Sequence, residues 1–168
     1  MELAEGKNVV YRTEICRVEG CETKCADGVN PRQYCVLAPV NSRSARYYIP
    51  VETAPGKLRE LLTKDEILEL IKGMGAADEW VSNPALRKQQ QSEIMSGGDY
   101  RRIAAMLRGI YLEKQRREAA GKRLNSTDER TMRAAEDMIN GEFSFVLGIK
   151  PKEVPEFICR EIQRNTQK

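Results

Sequence analysis

The sequence predicts an α+β protein, with a small antiparallel β module followed by an all-α module. Two changes along the chain carry that expectation. Short β-branched and aromatic runs of period two fill the first fifty or so residues, and apolar repeats of period 3.6 follow "TAPGK" at 53–57. Charge changes as well: residues 1–52 hold seven basic and seven acidic side chains, whereas residues 80–123 hold ten basic against four acidic. The expected domains are therefore 1–55 and 56–168, meeting at Pro55-Gly56.

In the first part, "VVYRTEICRV", "CETKCA", "RQYCVLAPV" and "RYYIPV" are separated by turn signals at Asp27-Gly28 and Asn30-Pro31. Alternation places Tyr34 and Val36 on one face of their strand, Cys35 and Leu37 on the other. Four or five strands in so short a segment predict a strongly bent sheet, a small barrel of the SH3 or Tudor type. Such a barrel keeps a short edge strand open to pairing with another protein.

The second part reads as a series of capped helices. Thr63 and Glu66 form a capping box ahead of Ile67, Leu70, Ile71 and Met74. Asn83-Pro84 is a cap followed by proline at the first helical position. Asp99 opens a long helix with Ile103, Met106, Leu107, Ile110 and Tyr111 inward, and with Arg101 and Arg108 toward solvent. Ser126 and Glu129 suggest a second capping box, before Met132, Ala135, Ile139, Phe143 and Val146, with Gly148 as the stop. Gly141 costs that helix about 1 kcal/mol relative to alanine, which predicts a close approach of another helix there. "KPKEVPEFICREIQR" is expected to form the last helix, with Pro155 leaving its start open.

Composition excludes several functions. The chain of 168 residues is 32% charged, with no apolar run of membrane-spanning length and no secretory signal, so a soluble cytoplasmic protein is expected. It has no histidine to act as a base and no glycine-rich nucleotide loop, and none of its five cysteines has an evident activating partner. No enzymatic activity and no cofactor are expected. Cys16, Cys21, Cys25 and Cys35 are spaced by four, three and nine residues, unlike the paired C-x2-C of zinc sites. Buried core thiols are the default; zinc is the alternative.

The single tryptophan, Trp80, stands in "DEWVSNPALRKQQQ", on a polar stretch at a helix start where the basic block begins. Such a block suits an anionic partner, or is simply a solvated helix face. The indole in turn either packs over the domain junction or is an exposed anchor.

"GKNVVYRTEICRV", "YCVLAPV" and "YYIPVE" resemble the N-terminal module of the bacterial CarD/CdnL-like transcription regulators. "TDERTMRAAEDMINGEFSFVLGI" resembles, more specifically, the C-terminal helices of that family's clostridial branch. The resemblance implies a Tudor-like domain that binds the lobe of the RNA polymerase β subunit, related to one in the transcription-repair coupling factor. It also implies a helical domain that touches promoter DNA at the upstream edge of the bubble. There a tryptophan serves as a minor-groove wedge, which makes Trp80 the wedge and Arg87 and Lys88 phosphate contacts. Arg101 and Arg108 are further candidates from the helical pattern. Alignment on "YYIP" brings the family's two polymerase-contacting basic positions to Lys24 and Tyr48, with Arg46 on the same strand face as a substitute for the second. The chain departs from the family at Glu14-Ile15, where a turn glycine is usual, and by a longer spacing from Trp80 to "SGGD". The expected partners are polymerase and promoter DNA, bound with little base specificity by a protein that is monomeric when free. A protein-only adaptor, using the same basic face on a second protein, is the competing expectation.

Overall fold

The computed structural model describes residues 3–25, 30–74 and 80–166. The expected turn at Asp27-Gly28 lies outside them. The chain divides into two units between Leu62 and Thr63, later than the expected boundary at Pro55-Gly56. The reason is a strand too short to read from sequence, Leu58–Glu60, which returns to pair with the first strand.

The first unit is a five-stranded antiparallel sheet. Its strands are β1 (Asn8–Tyr11), β2 (Glu14–Lys24), β3 (Arg32–Pro39), β4 (Tyr47–Pro50) and β5 (Leu58–Glu60), in the order β4-β3-β2-β1-β5. A four-residue helix, α1 (Ala54–Lys57), leads into β5. Among the described residues the sheet is open, with β4 and β5 as its edges, rather than closed into the expected barrel. Its core gathers Val9, Cys16, Val18, Cys35, Leu37 and Ile49 with Ala54 and Leu58. The expected alternation in β3 thus puts Cys35 and Leu37 inward. β2 bends at a bulge between Val18 and Gly20, where Gly20 takes a φ of 129° that side chains resist. The β1–β2 turn needs no glycine at Glu14-Ile15, because both already lie in β2. The left-handed position falls on Arg12 (φ 56°), whose guanidinium lies over the Tyr11 ring at 5.2 Å.

The second unit is helical: α2 (Lys64–Gly73), α3 (Pro84–Gly97), α4 (Tyr100–Ala119), α5 (Ser126–Leu147), a 3-10 turn (Pro151–Glu153) and α6 (Val154–Thr166). Ile67, Ile71, Ile103, Ile110, Phe143 and Val154 are fully buried in it. Thr63, Asn83 and Asp99 cap their helices through their own side-chain oxygens, and Gly148 ends α5 in the left-handed conformation. The cap of α5 is Asn125 rather than Ser126: its Oδ1 accepts from the Asp128 N–H at 2.8 Å. Gly141 is not a helix contact, since a Cβ built there meets nothing within 4 Å. Tyr111 is exposed instead of core; its ring spans to Glu136 on α5, while Tyr100, Ala104 and Glu113 join the buried face. None of the described helices is long and apolar enough to cross a membrane.

Glu113, buried near the end of α4, accepts from Arg116 at 2.7 and 2.8 Å and from Arg117 at 2.6 Å. The two Arg116 hydrogen bonds, and after them the one from Arg117, hold its carboxyl at about 2, against burial that opposes the charge. A carboxyl lowered on folding stabilises above its unfolded value of 4.5, and that contribution is lost as the pH falls toward 2. Glu113→Gln is therefore expected to lower stability at pH 7 and to flatten its decline between about pH 4.5 and 2. Urea denaturation across that range checks it; an unchanged slope would assign the acid limb to other carboxylates.

Candidate nucleic-acid interface

Trp80 lies outside regular secondary structure just ahead of α3 and is half-buried. The start of α3 is fixed locally. Asn83 Oδ1 accepts from the N–H groups of Ala85 (2.9 Å) and Leu86 (3.2 Å), and Pro84 supplies the helical φ at no loss of a donor. One turn into the helix, Arg87 points back under the indole, its guanidinium carbon 4.3 Å from the ring centroid.

Arg87 differs from the expected phosphate contact. It is only 4% exposed, and all three of its side-chain nitrogens are engaged. Nε and Nη2 donate to the two carboxylate oxygens of Asp128, each at 2.9 Å. Nη1 donates to the carbonyls of Val81 (2.6 Å) and Ser82 (3.3 Å), directly after Trp80. The paired geometry and the extra carbonyls compensate the desolvation that a buried ion pair otherwise suffers.

Asp128, 2% exposed, anchors the whole arrangement from the first turn of α5. Besides Arg87 it accepts from Gln91 Nε2 (3.1 Å) and Asn125 Nδ2 (2.6 Å). Gln91 Oε1 is buried with no hydrogen-bond partner among the described residues. Gln91 lines a half-open pocket of about 20 Å³ together with Trp80, Ile94, Met106 and Ile110. Neither Asp128 nor Gln91 stands out in the sequence. The available signal was the carboxylate three residues after a cap in "NSTD", a position whose side chain turns back along the helix start.

The other basic candidates fall into two places. Lys88 is exposed on α3, beside Arg87 in sequence but not buried with it. Arg101 and Arg108, both exposed on α4, lie against the end of α2. Arg101 Nη1 is 3.7 Å from where a Gly73 side chain would begin, and Arg108 Nη1 donates to the Met74 carbonyl at 3.4 Å. Cations at a helix C-terminus meet the negative end of its dipole.

In the first unit, Lys24 and Tyr48 are brought together, the ammonium 3.4 Å from the ring centroid, with Glu22 at 3.3 Å from the same nitrogen. Arg46 pairs with Glu19. Each basic candidate thus has an acidic neighbour on β2, and the surface is a mixed one with Tyr48 exposed in it.

Cys16 and Cys35 are core thiols as expected, but Cys21, Cys25 and Cys159 are exposed. Burial, and then the Glu14 carboxylate, pushes the Cys16 thiol up to about 11; burial likewise raises Cys35. No group of three His, Cys, Asp or Glu suited to a metal occurs among the described residues. A thiol reagent at pH 8 is expected to modify Cys21, Cys25 and Cys159 rapidly and Cys16 and Cys35 only on unfolding. Stoichiometric zinc in the purified protein, removed by chelators with loss of fold, would overturn this.

No family model and no curated sequence matches this chain.

Proposed function

We propose that the protein is a CarD/CdnL-like transcription regulator. In this reading the sheet unit, as a Tudor-like domain, binds the β-subunit lobe of RNA polymerase. The helical unit stabilises the open promoter complex at the upstream edge of the bubble. The observation that carries the reading is Trp80: a large aromatic held half-exposed on a cation at a helix start, ahead of exposed Lys88 in the basic block. An aromatic wedge holds a distorted base step, and lysine or arginine beside it neutralises phosphate. Arg87 supports the wedge from beneath in this reading, and the phosphate role passes to Lys88, with Arg101 and Arg108 further along. Little sequence preference follows, because minor-groove edges distinguish base pairs poorly; polymerase position and DNA deformability select the site.

On the sheet unit, Lys24, Arg46 and Tyr48 are the proposed polymerase contacts, beside the edge strand β4 whose outer backbone groups can extend a partner's sheet. The double variant Lys24→Glu/Arg46→Glu is expected to weaken polymerase binding about tenfold or more by setting like charges against a complementary surface. Thermal unfolding should be nearly unchanged, since exposed ion pairs contribute little. Co-purification with the cognate polymerase measures it, and undiminished recovery would move the interface elsewhere.

One feature favours a second reading, a protein-only adaptor: Leu86 is 59% and Leu112 50% exposed on the helical unit. Binding to forked promoter DNA that weakens steeply with salt supports the regulator, and indifference to DNA supports the adaptor.

A further inference from the structure

The indole of Trp80 has a guanidinium against one face, and that guanidinium is not free to move. Asp128 holds two of its nitrogens from α5, and the third grips the carbonyls of the two residues that follow Trp80. The same group therefore fixes both the ring and the backbone that carries it. We infer that Arg87 is a positioning residue, latched by Asp128, that presents Trp80 to its partner as a one-faced platform. This rests on the reading of Trp80 as a DNA contact.

The consequence is a definite mode of contact. A ring that intercalates needs both faces for bases, and here one face is occupied by a buried, bidentately paired cation. Only the other face and the rim of the indole remain for a nucleobase. The platform suits stacking on the last base at a junction between duplex and melted strands, where a single base face is presented. Paired with Asp128, the guanidinium adds no net charge beside a polyanion; what it contributes is the fixed position of the ring. The arrangement is preset rather than assembled on binding, because α3 and α5 carry its two halves and every donor is already placed.

Trp80 is the only tryptophan, so intrinsic fluorescence reports on this ring alone. Arg87→Lys keeps the charge and loses the fork, since a lysine cannot hold both carboxylate oxygens and the two carbonyls at once. The triple variant Arg87→Met/Gln91→Leu/Asp128→Leu removes the polar cluster without leaving an unpaired buried charge, and it carries the test if Arg87→Lys does not fold. In the free protein, loss of the stack is expected to shift the balance between held and loose indole by about tenfold. Acrylamide quenching should rise and fluorescence anisotropy should fall, while unfolding stays cooperative. Affinity for forked DNA should drop about tenfold with an unchanged salt slope, because no phosphate contact is removed. Unchanged quenching in a folded variant would overturn the latch. A salt slope lower by about one ion in the triple variant, which removes the cation, would restore Arg87 as a phosphate contact and overturn its positioning role. Looser fluorescence with unaltered DNA binding would uphold the latch and remove DNA as the partner of the platform.

Discussion

Asp128→Ala is expected to destabilise the helical unit by about 3–5 kcal/mol, the range for removing one partner of a buried ion pair. The variant leaves Arg87 charged, 4% exposed and facing no anion, and it strips an acceptor from Gln91 and Asn125 as well. Arg87→Ala should cost less. A carboxylate stranded in the interior can neutralise by taking up a proton, whereas a guanidinium has no neutral form to retreat to. The double variant should recover part of the loss, because neither charge is then orphaned. Lys88→Ala, one residue away but exposed, is the control, with an effect within about 0.5 kcal/mol. Denaturant titrations of the four proteins give the coupling directly. A loss below about 1 kcal/mol for Asp128→Ala would mean that water reaches the pair and screens it as it does a surface bridge.

That pair also marks the limit of what the amino-acid string reveals. Local chemistry was legible: Thr63, Asn83, Asp99 and Gly148 act within one turn of themselves, and each does what its type and position imply. Where two cap-forming residues stand together, as Asn125 and Ser126 do, spacing alone cannot choose. Asn125 prevails because its amide also donates to Asp128, which the Arg87 network already fixes. Arg87 read as a surface cation for the same reason. Its partner lies 41 residues away, and nothing near Arg87 in sequence indicates burial. Tyr100 and Glu142, joined at 2.5 Å in the interior, are a second case of a long-range polar contact between helices. The sheet follows the same rule. β-branched runs mark where strands lie but not where they turn: "VVYRTEICRV" holds the β1–β2 turn at Arg12-Thr13, and "CETKCA" continues β2 instead of starting a strand. Closure into a barrel depends on which edges meet, and β5, three residues long, pairs with β1.

Trp80→Ala is expected to shorten open-complex lifetimes about tenfold, since aromatic stacking on a base contributes roughly 1–3 kcal/mol by alanine substitution. The structure sharpens what should accompany that effect. A fully buried tryptophan would cost about 3–5 kcal/mol on truncation, and a freely exposed one almost nothing. A half-buried ring over Arg87 falls between, at about 1–2 kcal/mol, from partial apolar burial and the lost cation–π contact. Most of the network should survive: Asp128 still pairs with Arg87, and the Val81 and Ser82 carbonyls still accept. Polymerase binding should be unaffected, because the proposed contacts lie in the other unit. Thermal stability, polymerase affinity and open-complex lifetime measured on one preparation separate the alternatives. Loss of more than about 3 kcal/mol would make the indole a core residue, whatever happened to transcription. A stable, polymerase-bound variant with normal open-complex lifetime would leave the exposed half of the ring without a nucleic-acid role, and would turn attention to the exposed Leu86 and Leu112 as protein contacts. A stable, polymerase-competent variant whose open complexes decay early is the result that the stacked geometry at Trp80 leads us to expect.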